Sequence, residues 1–352
     1  MSPFGVYLHV PFCATKCDYC AFATWTDRHH LQQAYLDACR IDIDRTVAAG
    51  MPAATSVFVG GGTPSLVDAS QLVAVLDAVP RAPGCEVTVE CNPDTVTPEL
   101  VATFAAGGVN RLSLGVQSMV DHVLSGLGRT HVPDNVRRAV ALAREAGIPT
   151  FNLDLIYGGA GESVDDWRRT VAGALALDPP HISAYALTVE AGTPLADDPR
   201  RQPDDDDQAE KYLIAAEAFE GAGLTWYEIS NWARPGHECR HNQLYWTMGD
   251  YQAFGCAGHS HRDGRRFWNV RTPERYIDAV TGGRSPEAAG ERLDTDDRRL
   301  EALQLAVRTR AGVPASTLPV EDLDDLVEVT GDRVVLTMRG RLLANEVALR
   351  LR

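Results

Sequence analysis

Cys13-Ala14-Thr15-Lys16-Cys17-Asp18-Tyr19-Cys20 follows a β-branched apolar run that begins at Gly5 and ends at Val10. Three thiolates on one loop at this C-x3-C-x2-C spacing are one short of the four that close an iron–sulfur cluster. A 4Fe-4S cluster held by Cys13, Cys17 and Cys20 keeps one iron open, and a chelating amino acid suits that position. Two other readings compete: a structural zinc site completed by His9 or His29, or three unrelated buried thiols.

Outward from this loop, one pattern repeats as far as Ile229: a short apolar run, a Gly-rich or polar loop, then a helix-length amphipathic stretch. The runs are Gly5–Val10, Ser56–Val59, Glu86–Val89, Asn110–Leu114, Thr150–Leu155, His181–Leu187 and, more weakly, Leu224–Ile229. Helices are expected near Leu31–Ala49, Ala69–Ala78, Pro98–Ala106, Pro133–Ala146, Val164–Leu177 and Gln208–Glu220. Right-handed βα crossovers curl such a series into a parallel, partial TIM-like (β/α)6 barrel over residues 1–230 of an α/β protein. Residues 231–290 are rich in Trp, His, Gly and Arg without clear periodicity and read as an irregular, functional connection. Residues 291–352 promise helices at Asp294–Arg310 and near Val320–Val327, a hairpin over Val327–Leu336 and a closing helix from Met338. That is a small α+β domain of winged-helix type with a packing role, since the acids of Glu321–Asp325 suit no DNA face.

The strand ends carry the chemistry. Gly60-Gly61-Gly62-Thr63-Pro64-Ser65 ends the second strand, where missing Cβ atoms let a polar group approach the backbone, although a tight turn explains it too. Glu90 with Asn92-Pro93 ends the third, Gln117 the fourth and Asp154 the fifth. Each alone passes for a helix cap or surface acid. In a βα barrel, however, these ends converge on one mouth, where such barrels place ligands.

Taken together, Tyr7-Leu8-His9-Val10-Pro11-Phe12-Cys13, the cysteine triplet, the Gly60–Ser65 loop, Gly115-Val116-Gln117 and the Asp154 strand resemble the oxygen-independent coproporphyrinogen III oxidase group of radical S-adenosylmethionine (SAM) proteins. The resemblance runs over nearly the whole chain. It implies that the open iron chelates SAM, with Gly61, Gly62 and Thr63 near the methionine moiety. Tyr7, Tyr19, Glu90, Gln117, Arg129 and Asp154 are its candidates around SAM. Phe22 stands where the oxidase has a fourth motif cysteine, and the oxidase's N-terminal extension is missing; both departures resemble the haem chaperone branch of the group. The alternative function is the oxidase itself, a SAM-dependent radical decarboxylation yielding protoporphyrinogen IX. Haem, apo respiratory haem proteins as acceptors, a low-potential electron donor and peripheral membrane association are the partners implied.

His241-Asn242-Gln243-Leu244-Tyr245-Trp246 looks like that branch's haem-binding motif. A neutral His241 imidazole suits an axial haem ligand, and Tyr245 and Trp246 suit a porphyrin face. The competing reading has His241 hydrogen-bonding at the domain junction while the aromatics fill a core. Cys239, His259 and His261 are rival ligands, and Arg262, Arg265 and Arg266 are candidates for the haem propionates.

Composition narrows the rest. A net charge of −15 disfavours nucleic acid as a partner. The Asp204–Asp207 run reads as the acidic start of a helix rather than a cation site. Eight cysteines in 352 residues are too few for a disulfide scaffold. With no signal-like segment before Cys13 and no run of about 18 apolar residues, a cytoplasmic location is expected.

Overall fold

The computed structural model describes residues 2–318, 323 and 325–351. Strand and helix alternate from the start: β1 (Phe4–Val10), α1 (Gln32–Ala48), β2 (Ala54–Gly61), α2 (Ala69–Asp77), β3 (Arg81–Cys91), α3 (Pro98–Ala106), β4 (Arg111–Gln117), α4 (Asp121–Gly126), α5 (Pro133–Glu145), β5 (Thr150–Tyr157), α6 (Val164–Leu175), β6 (His181–Ala186) and α7 (Asp205–Gly221). The helix starts follow from local chemistry. Asp68, Thr97 and Ser163 accept first-turn amide protons, and Pro98 and Pro133 occupy positions where a missing N–H costs nothing. Asp204 likewise accepts from the Asp207 amide at 2.9 Å, so the acidic run is the cap and first turn of α7.

Strands β1 to β6 pair in chain order and in parallel. Both faces of β1 are covered, with only Tyr7 less than fully buried, which is why the strand reads as an unbroken apolar run. The sheet curls: a cavity of ≈ 220 Å³ is lined by Tyr7, Phe58, Glu90, Ser113, Asp154 and Ser183, one side chain from each of the six strands. It also stays open, with other strands added at both edges.

Those additions depart from the expected pattern. The seventh run, β7 (Thr225–Glu228), does not continue the parallel series but forms an antiparallel pair with β8 (Asn231–Ala233), which lies antiparallel to β6. The stretch expected to be irregular is largely regular. It holds α8 (Arg240–Trp246), β9 (Asp250–Phe254), β10 (His259–Arg262), β11 (Arg265–Asn269), α9 (Pro273–Thr281) and β12 (Glu287–Arg292). β9 runs parallel to β1 on the edge opposite β2, and β10 to β12 extend the sheet as an antiparallel meander. These strands carry His, Arg and Gln where core strands carry Val and Leu, so they leave little apolar period to read.

The C-terminal unit has its own core, including Val307, Val313, Val334 and Val347. It comprises α10 (Thr295–Ala306), a three-stranded antiparallel sheet of β13 (Val313–Pro314), β14 (Val327–Thr330) and β15 (Arg333–Leu336), and the short helices α11 (Met338–Leu342) and α12 (Ala344–Ala348). The hairpin and closing helix stand where the pattern places them. The helix expected near Val320–Val327 falls mostly outside the described residues, and Val327 itself opens β14. Arg341 joins the unit to the barrel, its guanidinium 3.9 Å from the Trp226 ring centroid. No helix among the described residues is long and apolar enough to cross a membrane.

Candidate functional site

The cysteine loop leaves β1 at the carboxyl end of the parallel strands and is tied down on several sides. The Cys13 amide donates to Trp25 O at 3.1 Å, the Asp18 amide to Leu127 O at 3.4 Å, and the Asp18 carboxylate pairs with Arg201 at 2.9 Å. The glycine loop after β2 is laced to the same segment, its Gly62 and Thr63 amides donating to Val10 O and Phe12 O at 2.8 Å each. All three thiols are free. Thr63 Oγ1 lies 3.8 Å from Cys13 Sγ, and Arg129 Nη1 lies 3.6 Å from Cys17 Sγ. Burial pushes the Cys13 and Cys20 thiols above their ordinary pKa. Burial also opposes the Arg129 charge, yet Tyr19 and Cys17 beside it hold its pKa above the ordinary value. Among the described residues no three His, Cys, Asp or Glu side chains gather around one point as a lone metal ion requires.

Backbone conformation makes room at two strand ends. Gly61 has φ +113°, and a Cβ there would stand 2.5 Å from the His9 ring; one on Gly62 would stand 2.6 Å from Phe12 O. Only glycine fits both constraints. Gln117 is a buried non-glycine residue at φ 62°, a left-handed conformation whose cost the surrounding structure must sustain. Its turn leaves Gly115 O free to accept from Arg129 Nη2 at 2.8 Å.

Inside the barrel, Glu90 accepts the Gly61 amide proton at 3.1 Å. Burial, and then the charge of Asp154, push the Glu90 carboxyl up to about 8. Burial also raises Asp154, but Ser113 and Asn152 each donate to it at 2.7 Å and oppose the rise. Glu90 therefore keeps its proton near neutral pH.

The sequence-predicted residues therefore form two adjoining groups. Cys13, Cys17, Cys20, Tyr19, Thr63, Gln117 and Arg129 surround the cysteine loop, while Tyr7, Glu90, Asp154 and His241 face the inner cavity. Gly61 and Gly62 connect them. His241 is 1% exposed, with Ser56 Oγ 3.0 Å from Nδ1 and Tyr245 OH 2.9 Å from Nε2. Its ring stacks against Phe58 at 5.5 Å, and burial lowers its pKa to about 3, so it is neutral.

A larger cleft of ≈ 740 Å³ lies outside, sharing Tyr7 and Tyr245 with the inner cavity. One wall is Ala21, Phe22 and Ala23, directly after Cys20, and Phe22 is 66% exposed. The other walls include Tyr251, His259, Trp268 and Arg271. Trp268 and Arg271 belong to none of the sequence motifs. The signal for Trp268 is Asp263-Gly264, the two-residue turn of a hairpin, with φ of 49° and 73°, which sets His259 opposite it; Arg271 lies beyond the hairpin and has no such signal. Arg262, Arg265 and Arg266 are engaged elsewhere: Arg265 pairs with Glu287, Arg266 with Glu291 and Glu301, and Arg262 stacks over Phe4.

Comparison with known proteins agrees with this architecture. Residues 7–172 match the model of the radical SAM superfamily. The chain is 42% identical to the haem chaperone HemW of Mycobacterium tuberculosis strain H37Rv, over 98% of this chain and 94% of that one. It is 35% identical to the Escherichia coli K12 haem chaperone HemW, over 88% and 85%, and 32% identical to that of Bacillus subtilis strain 168, over 97% of each. The fold matches that of coproporphyrinogen III oxidase (HemN) from Escherichia coli with a TM-score of 0.85 at 21% identity, over 99% of this chain and 89% of that one. The chain belongs to the radical SAM superfamily and, within it, to the family of the haem chaperone HemW.

Proposed function

We propose that this protein is a cytoplasmic haem carrier that binds haem and a SAM-liganded 4Fe-4S cluster and delivers haem to respiratory haem proteins, approaching their membrane peripherally. The observation that carries the proposal is the shared wall: the loop of Cys13, Cys17 and Cys20 continues without a break into Ala21–Ala23 of the aromatic cleft. The relatives named above as haem chaperones support it.

The residues fit both groups. Cys13, Cys17 and Cys20 would hold the cluster, leaving the fourth iron for SAM. The cradle at Gly61 and Gly62, which any Cβ would fill, suits the methionine moiety, with Thr63, Tyr7, Tyr19, Glu90, Gln117, Arg129 and Asp154 around it. When bound, the cluster and SAM supply one-electron chemistry fed by a low-potential donor. The chain's own part is positional. Arg129 places positive charge against Cys17, Glu90 holds the Gly61 amide, and His241 fixes Tyr245, which lines both cavities.

Anaerobic reconstitution followed by haem titration and transfer to an apo haem protein tests the proposal. Parent protein should bind iron and sulfide and then haem, and Cys17→Ala should lose the cluster. Stoichiometric conversion of coproporphyrinogen III to protoporphyrinogen IX, given reductant and SAM, would establish the oxidase reading instead.

A further inference from the structure

Resting on the carrier reading above, we infer that haem seats in the outer cleft with His259 as its axial ligand and Arg271 as its propionate contact. In this assignment His241 supports the barrel from inside without touching the iron.

Volume separates the two cavities. The outer one, at ≈ 740 Å³, falls within the roughly 300–1,000 Å³ of ordinary ligand sites and far exceeds the inner one, at ≈ 220 Å³, whose walls Tyr7, Glu90 and Asp154 are already assigned to SAM. His241 and Cys239 belong to the inner cavity, whereas His259 belongs to the outer.

The nitrogens separate the histidines. A carbonyl oxygen only accepts, so the 3.0 Å contact between His259 Nδ1 and Ala257 O places the proton on Nδ1 and leaves Nε2 with its lone pair bare. That tautomer, fixed by an Nδ1–H bond to a backbone carbonyl, is the arrangement that orients metal-binding imidazoles. The ring is exposed and stacked on Trp268, with centroids 5.6 Å apart and planes 27° apart, so its direction is set before any ligand arrives. Each rival fails on one of these counts. Both ring nitrogens of His241 are engaged by hydroxyls. His261 bonds Gly249 O through Nδ1, but its free Nε2 is buried. Cys239 is buried beside Glu86, and burial pushes its thiol up to about 12, far from the thiolate that binds iron.

The remaining walls match the rest of a haem. Phe22 offers the apolar surface that a macrocycle would cover. Arg271 is exposed at the cleft and, unlike Arg265 and Arg266, forms no ion pair among the described residues, which leaves its guanidinium fork for a carboxylate.

The test is a titration of the cluster-loaded full chain with ferric haem, followed by absorption and electron paramagnetic resonance, for the parent, His259→Ala, Arg271→Glu and His241→Ala. His259→Ala should weaken binding by at least about tenfold, the loss seen on disturbing even a metal ligand's support. It should also lose the imidazole-ligated spectrum and regain it on addition of free imidazole, which a misfolded variant would not do. Arg271→Glu should weaken binding while keeping the parent spectrum, and whatever haem His241→Ala retains should keep that spectrum too. An unchanged ligand spectrum in His259→Ala, whatever its affinity, overturns this inference and leaves the carrier reading standing. Absence of saturable haem binding by the parent overturns both.

Discussion

Glu90→Gln exposes the cost of placing a carboxyl against Asp154 inside the barrel. In the folded chain the Glu90 carboxyl titrates at about 8 against an ordinary 4.5, so folding takes up a proton between these values. The sign follows directly. Below pH 4.5 both states are protonated and the group is neutral to stability; as pH rises to about 8 stability falls, because the unfolded chain ionises freely and the folded one does not. At full effect each pH unit in this window removes about 1.4 kcal/mol, which bounds the loss at about 5 kcal/mol. Glu90 keeps some solvent contact, so about 2 kcal/mol is the expected loss. Gln at this position accepts the Gly61 amide proton as the acid does but carries no charge. Urea unfolding of the reduced apo chain should therefore give nearly equal stabilities for parent and variant near pH 5. Near pH 8.5 the variant should be more stable by about 2 kcal/mol. A separation that stays the same at both pH values would refute the argument, since a packing or hydrogen-bond difference does not titrate.

Gly62→Ala drives a methyl group to 2.6 Å from Phe12 O, a backbone atom that cannot rotate away. A loss of about 1–3 kcal/mol in denaturant, together with reduced iron content after reconstitution, is expected, because the displaced backbone carries the cysteine loop. Lys211 and Glu162 form a 3.2 Å ion pair whose side chains are both fully buried. Lys211→Met should cost about 3–5 kcal/mol by stranding the carboxylate, and adding Glu162→Gln should recover part of it; thermal unfolding of the single and double variants checks both.

The sequence exposes the parts of the fold that local physics decides. Parallel strands buried on both faces produce unbroken apolar runs, and capped amphipathic helices fill the intervals, so the elements from β1 to α7 other than α4 and the start of β3 can be placed within a few residues. The pairing of β9 with β1 is different: it joins residues 246 apart, as Phe4 with Asp250, and has no local signature. Helix α4, six residues long, is too short to show a period. The convergence of Glu90 and Asp154 could be anticipated because strand ends in such a sheet share one rim, but their proton balance depends on Ser113 and Asn152, which no spacing reveals. The outer cleft was the least legible. Its walls come from β1, the cysteine loop, α8, β9 and the β10–β11 hairpin, and only the Asp263-Gly264 turn hints that two of its residues face each other.

The contacts of His241 give its replacement a structural cost that is separate from any role in binding haem. Gly5 on β1 lacks a Cβ where one would stand 2.8 Å from Leu244 and 3.0 Å from the His241 ring, so α8 packs directly onto the strand that launches the cysteine loop. His241 then spans from Ser56 on β2 to Tyr245 on its own helix. A residue held through both ring nitrogens is fixed in place, and its replacement would shift Tyr245, one of the two walls common to both cavities. Loss of haem binding in a His241 variant alone therefore has two origins that affinity cannot tell apart. The ligand field of whatever haem remains does tell them apart, because a displaced wall changes how much haem binds while a removed ligand changes what the iron sees.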